Sequence, residues 1–431
     1  MHVLRSLVRP KFCLAVIGLC LVAACDNEPA RYEASGHAIG TPQPGTPFSQ
    51  YVSGSRSKIR DALQNVRYTP GQHPFGKYTI DDAVDMRAPF EIDADNQACA
   101  QQGKTLKNGD GVGFLLVHGL SDSPYLLSDV ATSLHNALPC ATLHAVLLPG
   151  HGTVPGDLRD IDASAWQATV KYGLESFDNT IRHIIPVGYS MGAALVVRAA
   201  ENHRNDAELS AMILLSPGFE AYSNLAWLTP YISYVKPWVT ERPDNDVAKY
   251  ETLATHAAGE FQLLTVPFRE NTLPPLTQPV FMAVSSDDRT VRADVAAHFF
   301  CGKVQSDKRY MIWYQGEAQA LEDRMQPICD DIDVVKSASP DWRTVNHAHT
   351  AMTMRPQNPH YGMTGDYRRC DHYSEPADYK ACEADNKDAI YGETNLVESA
   401  TPGTLRRGTF NPDFDGMMGK MVVFIHQVLE P

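Results

Sequence analysis

Ser190 is the residue whose neighbours point most directly to chemistry. It is the centre of Gly188-Tyr189-Ser190-Met191-Gly192, which follows a short apolar run and precedes a stretch rich in Ala, Leu and Val. A serine on a sharp strand-to-helix turn exposes its hydroxyl above the edge of a sheet, and flanking glycines remove the β-carbons that would clash there. The helix that follows points its N-terminus at the hydroxyl, where developing negative charge is stabilised. The pattern therefore predicts a nucleophilic serine.

A nucleophilic serine needs a base that removes its proton and an acid that orients the base. Two acid candidates, Asp287 and Asp288, end a predicted strand. Because adjacent side chains point apart in an extended chain, only one of them can face the base. Among the sixteen histidines, His347 and His349 lie together on a later segment, and His360 follows them. The residue types alone leave both choices open.

The elements that would position these side chains alternate along the chain. We predict an edge strand at 89–92 and buried strands at 113–117, 141–148, 183–187, 211–215, 279–284 and 308–314. We predict helices at 124–138, 163–177, 191–202, 293–300 and 415–429. Such alternation implies parallel strands joined by right-handed crossovers, and the continuous apolar runs are typical of strands buried on both faces.

The alternation breaks over residues 219–277, and we expect this insertion to cover the active-site edge of the sheet as a lid. Four aromatic residues occur in it at roughly helical spacing, namely Trp227, Tyr231, Tyr234 and Trp238. Large apolar side chains at that place predict a pocket for an acyl or other apolar ester moiety. The alternatives are that the aromatic residues pack a small core of the insertion itself or face the domain.

The N-terminal segment has the pattern of a targeting signal. Basic residues precede the apolar run at 12–22, so residues 1–24 are predicted to be a signal peptide. The ending Val22-Ala23-Ala24-Cys25 resembles a bacterial lipobox, which implies a lipidated Cys25 and a membrane-anchored protein of the bacterial cell envelope, facing the periplasm or the exterior. Ordinary cleavage near Ala24 is the alternative. Pro, Gly, Ser and acidic residues predict a flexible tether to residue 47, followed by one domain over 48–431.

Charge and cysteine usage narrow the possible partners. The net charge is −14 and no Lys/Arg run occurs, which argues against nucleic acid as a partner. The six cysteines after Cys25 form no C-x-x-C motif and no Cys/His cluster with zinc spacing, so no metal is expected. An even number in an exported chain suggests disulfides. Because near neighbours close most readily, we predict the pairs Cys99–Cys140, Cys301–Cys329 and Cys370–Cys382.

Taken in order, the motifs resemble those of the α/β-hydrolase superfamily, near the carboxylesterase and monoacylglycerol-lipase-like group. The motifs are Leu116–Leu120 (LVHGL), Leu148–Gly152 (LPGHG), Gly188–Gly192 (GYSMG), Asp288–Val291 (DRTV), and His349 with Asn358–Gly362 (NPHYG). The resemblance implies the α/β-hydrolase fold, which is a mostly parallel central sheet flanked by helices, with a lid insertion. It also implies the chain order serine, acid, histidine.

The resemblance assigns roles to these residues. It favours Asp288 over Asp287 as the acid, because the family pattern is D-x-x-V, which leaves Asp287 as a solvated turn residue. It favours His349 over His347 as the base. The implied oxyanion hole consists of the backbone N–H groups of Leu120 and Met191.

His118 and His360 are interpreted as structural residues. Neither a cofactor nor a metal is implied. The implied function is a serine hydrolase that cleaves carboxylic esters, of small molecules or of lipids, through an acyl-enzyme on Ser190. Two alternatives remain open: an acyltransferase or lipid-remodelling enzyme that passes the acyl group to an alcohol, and a non-catalytic envelope binding protein that keeps the fold.

Overall fold

An eight-stranded sheet organises the protein. The structure is a computed structural model that describes residues 30–65, 75–103, 109–202, 209–242, 244–316, 329–384, 387–394 and 403–430. The strands of the described residues, inside and outside this sheet, are β1 (Phe90–Ile92), β2 (Val112–Val117), β3 (Thr142–Val146), β4 (His183–Tyr189), β5 (Met212–Leu215), β6 (Trp238–Thr240), β7 (Leu253–Ala254), β8 (Val280–Ser285), β9 (Arg309–Gln315), β10 (Ile332–Lys336), β11 (Ile390–Gly392) and β12 (Leu405–Arg407). The sheet order is β1-β3-β2-β4-β5-β8-β9-β10. Only β1 runs antiparallel to its neighbour in this sheet.

Helices cover both faces of the sheet. They are α1 (Phe48–Asn65), α2 (Ile80–Arg87), α3 (Asn96–Gln102), α4 (Ser128–Ala137), α5 (Ala163–Glu175), α6 (Met191–Asn202), α7 (Thr229–Ile232), α8 (Thr255–Leu264), α9 (Val266–Arg269), α10 (Ala293–Lys303), α11 (Pro376–Glu383) and α12 (Phe414–Leu429). Side chains alternate along β2, so that Leu115 joins the core beneath α5, α6 and α10, while Leu116 joins the core beneath α4 and α12. Both cores are apolar, which explains why the parallel strands read as continuous apolar runs.

The predicted parallel sheet flanked by helices is confirmed, and two differences have a local cause. Strand β10 was not predicted, because it lies at the sheet edge and its half-exposed residues, Ile332–Lys336, include Asp333 and Lys336. The helix predicted from residue 124 begins as a 3-10 turn over Pro124–Leu127, and the α-helix starts at Ser128.

Residues 30–47 pack against the domain, in contrast to the flexible tether predicted for them. Tyr32 and Ile39 are buried in the core. Ser35 donates hydrogen bonds from its backbone N–H and its hydroxyl to the two carboxylate oxygens of Asp157, each at 2.7 Å. Composition suggested a tether because the segment holds several Pro and Gly residues, whereas its buried apolar side chains fix it to the domain. The predicted signal peptide and Cys25 lie outside the described residues.

The insertion, residues 219–277, lies between β5 and β8 and contains the short β6–β7 pair and the helices α7, α8 and α9. After the last strand of the main sheet, β11 and β12 form a separate parallel pair. Among the described residues no helix combines the length and the apolar character that a bilayer span requires. Both peripheral pairs lie on segments that line the cavity described below.

Three disulfides link the chain in the predicted pattern. They join Cys99 to Cys140, Cys301 to Cys329 and Cys370 to Cys382, with Cα–Cα distances of 4.9, 5.5 and 5.9 Å. Sequence neighbours therefore pair, as loop-closure entropy favours. The last pair encloses the segment that carries Asp371, next to the cavity.

Candidate active site

Ser190 lies at the turn between β4 and α6 with a left-handed backbone, at φ 54°. A non-glycine residue pays a conformational cost in that region, so neighbouring contacts must hold the turn. The flanking glycines explain how it is packed. A β-carbon on Gly188 would collide with the backbone of Ala193, and one on Gly192 would collide with the carbonyl of Val117 in β2. The sequence motif therefore reflects a helix seated directly on the strands.

Ser190, His349 and Asp288 form a hydrogen-bonded row. The Ser190 hydroxyl lies 3.0 Å from His349 Nε2, and His349 Nδ1 lies 2.6 Å from Asp288 Oδ2. All three side chains are buried. The other carboxylate oxygen of Asp288 accepts the backbone N–H groups of Thr290 and Val291, at 2.8 and 2.9 Å. The row can therefore pass a proton from the hydroxyl to an imidazole whose orientation the carboxylate fixes.

Asp287 and His347, the competing candidates, lie beside the row without joining it. Asp287 is only 2% exposed and accepts hydrogen bonds from the Ser337 hydroxyl at 2.9 Å and the His347 backbone N–H at 3.4 Å. The expectation that it is a solvated turn residue is therefore wrong, because its carboxylate anchors a loop. The His347 ring packs edge-on against Tyr314, and burial lowers its pKa to about 4.

His360 is remote from the row, and its ring Nε2 lies 2.9 Å from a carboxylate oxygen of the buried Asp246. The same carboxylate group accepts a hydrogen bond from the Tyr361 hydroxyl at 2.8 Å. These contacts fasten the segment after His349 to the insertion. They agree with a structural interpretation of His360.

Leu120 and Met191, whose N–H groups were assigned to an oxyanion hole, line the same cavity as Ser190. The loop that carries Leu120 approaches the nucleophile closely, since a β-carbon on Gly119 would lie 2.9 Å from Ser190 Cβ. Met191 is the first residue of α6, so its N–H has no partner within the preceding helix turn. The oxyanion assignment itself stays a prediction.

Two neutral histidines hold this loop. His118 Nε2 accepts the backbone N–H of Leu148 at 3.0 Å while its Nδ1 lies 2.8 Å from the Gly119 carbonyl. His151 Nε2 accepts the backbone N–H of Ser121 at 3.0 Å. Burial lowers the pKa of His118 well below its ordinary value and that of His151 to about 4. Both rings can therefore accept hydrogen bonds at neutral pH, which agrees with a structural interpretation of His118.

A cavity of about 700 Å³ lies over Ser190, and the insertion supplies its apolar wall. The apolar side chains of the insertion that line it are Ala221, Leu225, Ala226, Leu228, Ile232, Val239, Leu253, Ala258 and Phe261. A concave, mostly apolar wall beside a few polar groups is the usual form of a small-molecule site.

The four aromatic residues predicted to form the lid, Trp227, Tyr231, Tyr234 and Trp238, do not line this cavity, contrary to the prediction. Trp227, Tyr231 and Tyr234 are 57%, 76% and 98% exposed. Trp238 is buried instead against Tyr32, with ring centroids 4.8 Å apart. Helical spacing put the aromatic residues on one face of the segment, and the structure turns that face outwards while the aliphatic face covers Ser190.

The cavity is also lined by charged side chains that sequence reasoning missed. They come from separate segments and are Asp122, Lys236, Lys249, Glu251, Arg289, Arg369, Asp371, Glu393 and Arg407. No local pattern connects these residues, so only the fold brings them together. Among the described residues, no group of His, Cys, Asp and Glu side chains has the arrangement of a metal site.

Comparison with known proteins identifies the family. The sequence matches the alpha/beta hydrolase family over residues 114–369, which is more than half of the chain. The chain belongs to the alpha/beta hydrolase family. No curated protein matches the sequence.

Solved structures of other alpha/beta hydrolases resemble this one at low sequence identity. One belongs to the metagenome-derived lipolytic enzymes LipS and LipT, with 18% identity, a TM-score of 0.44, and coverage of 53% of this chain and 87% of that one. Another is a soluble variant of monoglyceride lipase from Saccharomyces cerevisiae, with 13% identity, a TM-score of 0.41, and coverage of 53% and 81%. A third is monoacylglycerol lipase from Paleococcus ferrophilus, with 15% identity, a TM-score of 0.40, and coverage of 53% of this chain and 88% of that one.

Part of the charged side of the cavity lies outside the family match. The match ends at residue 369, whereas Asp371, Glu393 and Arg407 follow it. This member of the alpha/beta hydrolase family therefore builds its cavity with residues from a further C-terminal segment, which includes the β11–β12 pair.

Proposed function

We propose that the protein hydrolyses carboxylic esters through an acyl-enzyme on Ser190. The observation that carries the proposal is the row Ser190–His349–Asp288 beneath a cavity with an aliphatic wall. Membership of a hydrolase family supports it. An ester with an apolar acyl group would fill the cavity on the side of the insertion.

The proposed reaction uses only side chains and backbone groups of this chain. The Ser190 hydroxyl passes its proton to His349 Nε2 as its oxygen bonds to the ester carbonyl carbon. Asp288 accepts the Nδ1–H hydrogen bond and stabilises the imidazolium. The N–H groups of Leu120 and Met191 would donate to the oxyanion. The imidazolium then protonates the leaving alcohol, and a water molecule, deprotonated by His349, releases the acid and regenerates the serine.

The test combines covalent labelling with kinetics. A fluorophosphonate should modify Ser190 alone, and p-nitrophenyl butyrate should give a burst of p-nitrophenol equal to the enzyme concentration where deacylation limits turnover. Ser190→Ala should abolish both, leaving a small residual rate over water. Labelling of another serine, or full activity in Ser190→Ala, would refute the assignment.

The same assay separates the alternatives. Addition of a competing alcohol should leave the free acid as the main product if the enzyme is a hydrolase. Transfer of most acyl groups to the alcohol would identify an acyltransferase. Absence of both label and burst would indicate a non-catalytic binding protein that keeps the fold.

We further propose that lipid on Cys25 anchors the protein at a membrane of the bacterial cell envelope. The lipobox-like ending at Cys25 motivates this. Since Ala30 already begins the packed region, five peptide units of at most about 3.6 Å each would separate lipid from domain, which keeps the cavity near the bilayer. Cys25→Ala should shift the protein from the detergent phase to the aqueous phase. Unchanged partitioning would contradict the anchor.

A further inference from the structure

The cavity over Ser190 has two chemically different walls. The insertion supplies most of the apolar side chains, while the ionic ones come from the insertion, from the segment after β8 and from the C-terminal part of the chain. We call the charged wall the set Lys249, Arg289, Arg369, Asp371, Glu393 and Arg407. Ionisable groups are rarely brought into a partly enclosed, partly apolar site without a function, because their desolvation is costly.

Three ion pairs fix most of these groups. Arg407 donates from Nε and Nη2 to the two oxygens of Glu393, at 3.0 and 2.9 Å. Arg369 Nε lies 3.3 Å from Asp371, and Lys249 lies 3.5 Å from Asp122. A paired guanidinium keeps further N–H donors, so these pairs hold Arg369 and Arg407 in place with donors to spare.

Arg289 is different, because among the described residues it has no carboxylate partner. Its guanidinium donates to the Tyr222 hydroxyl and lies 4.8 Å above the Tyr222 ring. It follows Asp288 directly and precedes Thr290, whose hydroxyl oxygen accepts a hydrogen bond from Arg407 at 2.7 Å. Arg289 and Arg407 therefore both line the cavity, and Arg407 contacts Thr290, which lies two residues after Asp288 of the hydrogen-bonded row.

The charge balance of the cavity is the reverse of that of the chain. The chain carries a net charge of −14, yet five cationic side chains and four carboxylates line the cavity. Burial raises the pKa of one of those carboxyls, Glu251, and the nearby Asp246 raises it further. Lys236, like Arg289, forms no ion pair among the residues that the structure describes. The cavity is thus a cationic site in an acidic protein.

We propose that the enzyme prefers esters whose alcohol portion carries an anionic group, with Arg289 and Arg407 as the residues that determine this specificity. The inference rests on the proposed ester hydrolysis and names its substrate class. The acyl chain would lie on the aliphatic wall, so the alcohol portion would face the charged wall. A planar guanidinium donates well to carboxylate and to phosphate, and the substrates below distinguish these two anionic groups.

The experiment compares hexanoyl esters that differ only in the alcohol. They are O-hexanoyl glycolate, 2-(hexanoyloxy)ethyl phosphate, the neutral 2-hydroxyethyl hexanoate and the cationic hexanoylcholine, all assayed by release of hexanoate. We expect kcat/KM for one or both anionic esters to exceed that for the neutral ester about tenfold, as charge-assisted hydrogen bonds allow, and hexanoylcholine to be the poorest substrate. The advantage should shrink as ionic strength rises.

Three variants assign the preference to residues. Arg289→Gln should lower the ratio of kcat/KM for the anionic esters to kcat/KM for the neutral ester severalfold, and Arg289→Lys should keep part of that ratio. Arg407→Gln/Glu393→Gln removes both partners, so that neither is left as an unpaired buried charge. Arg292→Gln is the matched control, because Arg292 pairs with Asp294 and does not line the cavity.

The failures can be told apart. If Ser190 is labelled and the neutral ester is hydrolysed as fast as both anionic esters, the substrate inference is wrong and the proposed function stands. An anionic preference that survives both Arg289→Gln and Arg407→Gln/Glu393→Gln also overturns it. If no ester is hydrolysed and no serine is labelled, the proposed function itself fails.

Discussion

The buried ion pair between Lys249 and Asp122 offers a quantitative test of the charged side of the cavity. Both side chains are only 8% exposed, and the Lys249 ammonium lies 3.5 Å from the carboxylate. Asp122 belongs to the loop that approaches Ser190, since a β-carbon on Gly119 would collide with the Asp122 carboxylate and touch Ser190 as well. Lys249→Met keeps most of the side-chain volume and removes only the charge.

The expected cost follows from burial. Removal of one partner of a buried pair costs about 3–5 kcal/mol, because the remaining charge is left uncompensated. For a domain of this length, with about 2 cal/mol/K of unfolding entropy per residue, that corresponds to about 4–6 °C in melting temperature. Exposed pairs contribute far less, so Lys171→Met, which breaks the surface pair with Glu175, is the matched control.

The loss should depend on pH in a defined direction. Burial raises the pKa of Asp122, and Lys249 is the strongest influence that lowers it, so Lys249→Met raises the pKa further. A carboxyl whose pKa is higher in the folded state binds a proton more tightly when folded. Its contribution to stability is therefore fully present below the unfolded pKa and is lost as pH rises through the folded pKa. The variant should be nearly as stable as the parent at acid pH and much less stable at pH 8.

Calorimetry of the parent, Lys249→Met, Asp122→Asn/Lys249→Met and Lys171→Met at pH 5 and pH 8 tests this. The double variant should recover most of the loss at pH 8, because no buried charge is left unpaired. His349 and Arg369, which also influence the pKa of Asp122, are common to all four proteins. The reasoning is refuted if Lys249→Met melts within about 1 °C of the Lys171→Met control at pH 8, or if the double variant is no better than the single one.

Two further predictions concern the cavity and the core. Leu228→Ala should flatten the dependence of kcat/KM on acyl length in p-nitrophenyl esters, because each buried methylene contributes about 0.8 kcal/mol. Trp227→Ala changes an exposed neighbour and should leave that dependence as it is in the parent. Equal acyl-length profiles for the two variants would contradict the aliphatic wall. Burial lowers the pKa of His347 to about 4. Below the unfolded pKa of about 6.5, the unfolded chain binds a proton that the folded chain does not, so the free energy of unfolding decreases as the pH is lowered. His347→Phe should therefore lose about 2 kcal/mol less than the parent between pH 7 and pH 5, measured by thermal unfolding at both values, and an unchanged difference would count against a neutral buried imidazole.

The geometry around Ser190 was accessible from the sequence because it depends on local pattern and chain order. Gly188 and Gly192 are required by contacts within a few residues or with the adjacent strand β2, and such contacts leave a fixed spacing in the sequence. The same holds for the apolar runs that became β2, β3, β4, β5, β8 and β9. Strand β10 was missed because an edge strand is half-exposed and lacks the continuous apolar run of its neighbours.

The insertion shows where pattern reasoning fails. Helical spacing established that Trp227 and Tyr231 share a face with each other, but not which face covers the cavity. Periodicity separates the two sides of a segment and assigns the more apolar side to the core. Here both sides are apolar, so the assignment was reversed, with Leu228 and Ile232 inward and the aromatic rings in solvent.

The charged wall was inaccessible for a different reason. Arg289, Arg369 and Arg407 lie on three segments that only the fold brings to one cavity, and a lone arginine in a sequence predicts nothing. Nearly all of the wall is outside the motifs that identify the family, and Arg407 with its partner Glu393 is beyond the family match altogether. Apart from Arg289, which follows Asp288 directly, the wall that would choose the ester thus comes from segments other than those that carry the row. Substitutions in the wall should therefore change which ester is preferred while the labelling of Ser190 stays the same.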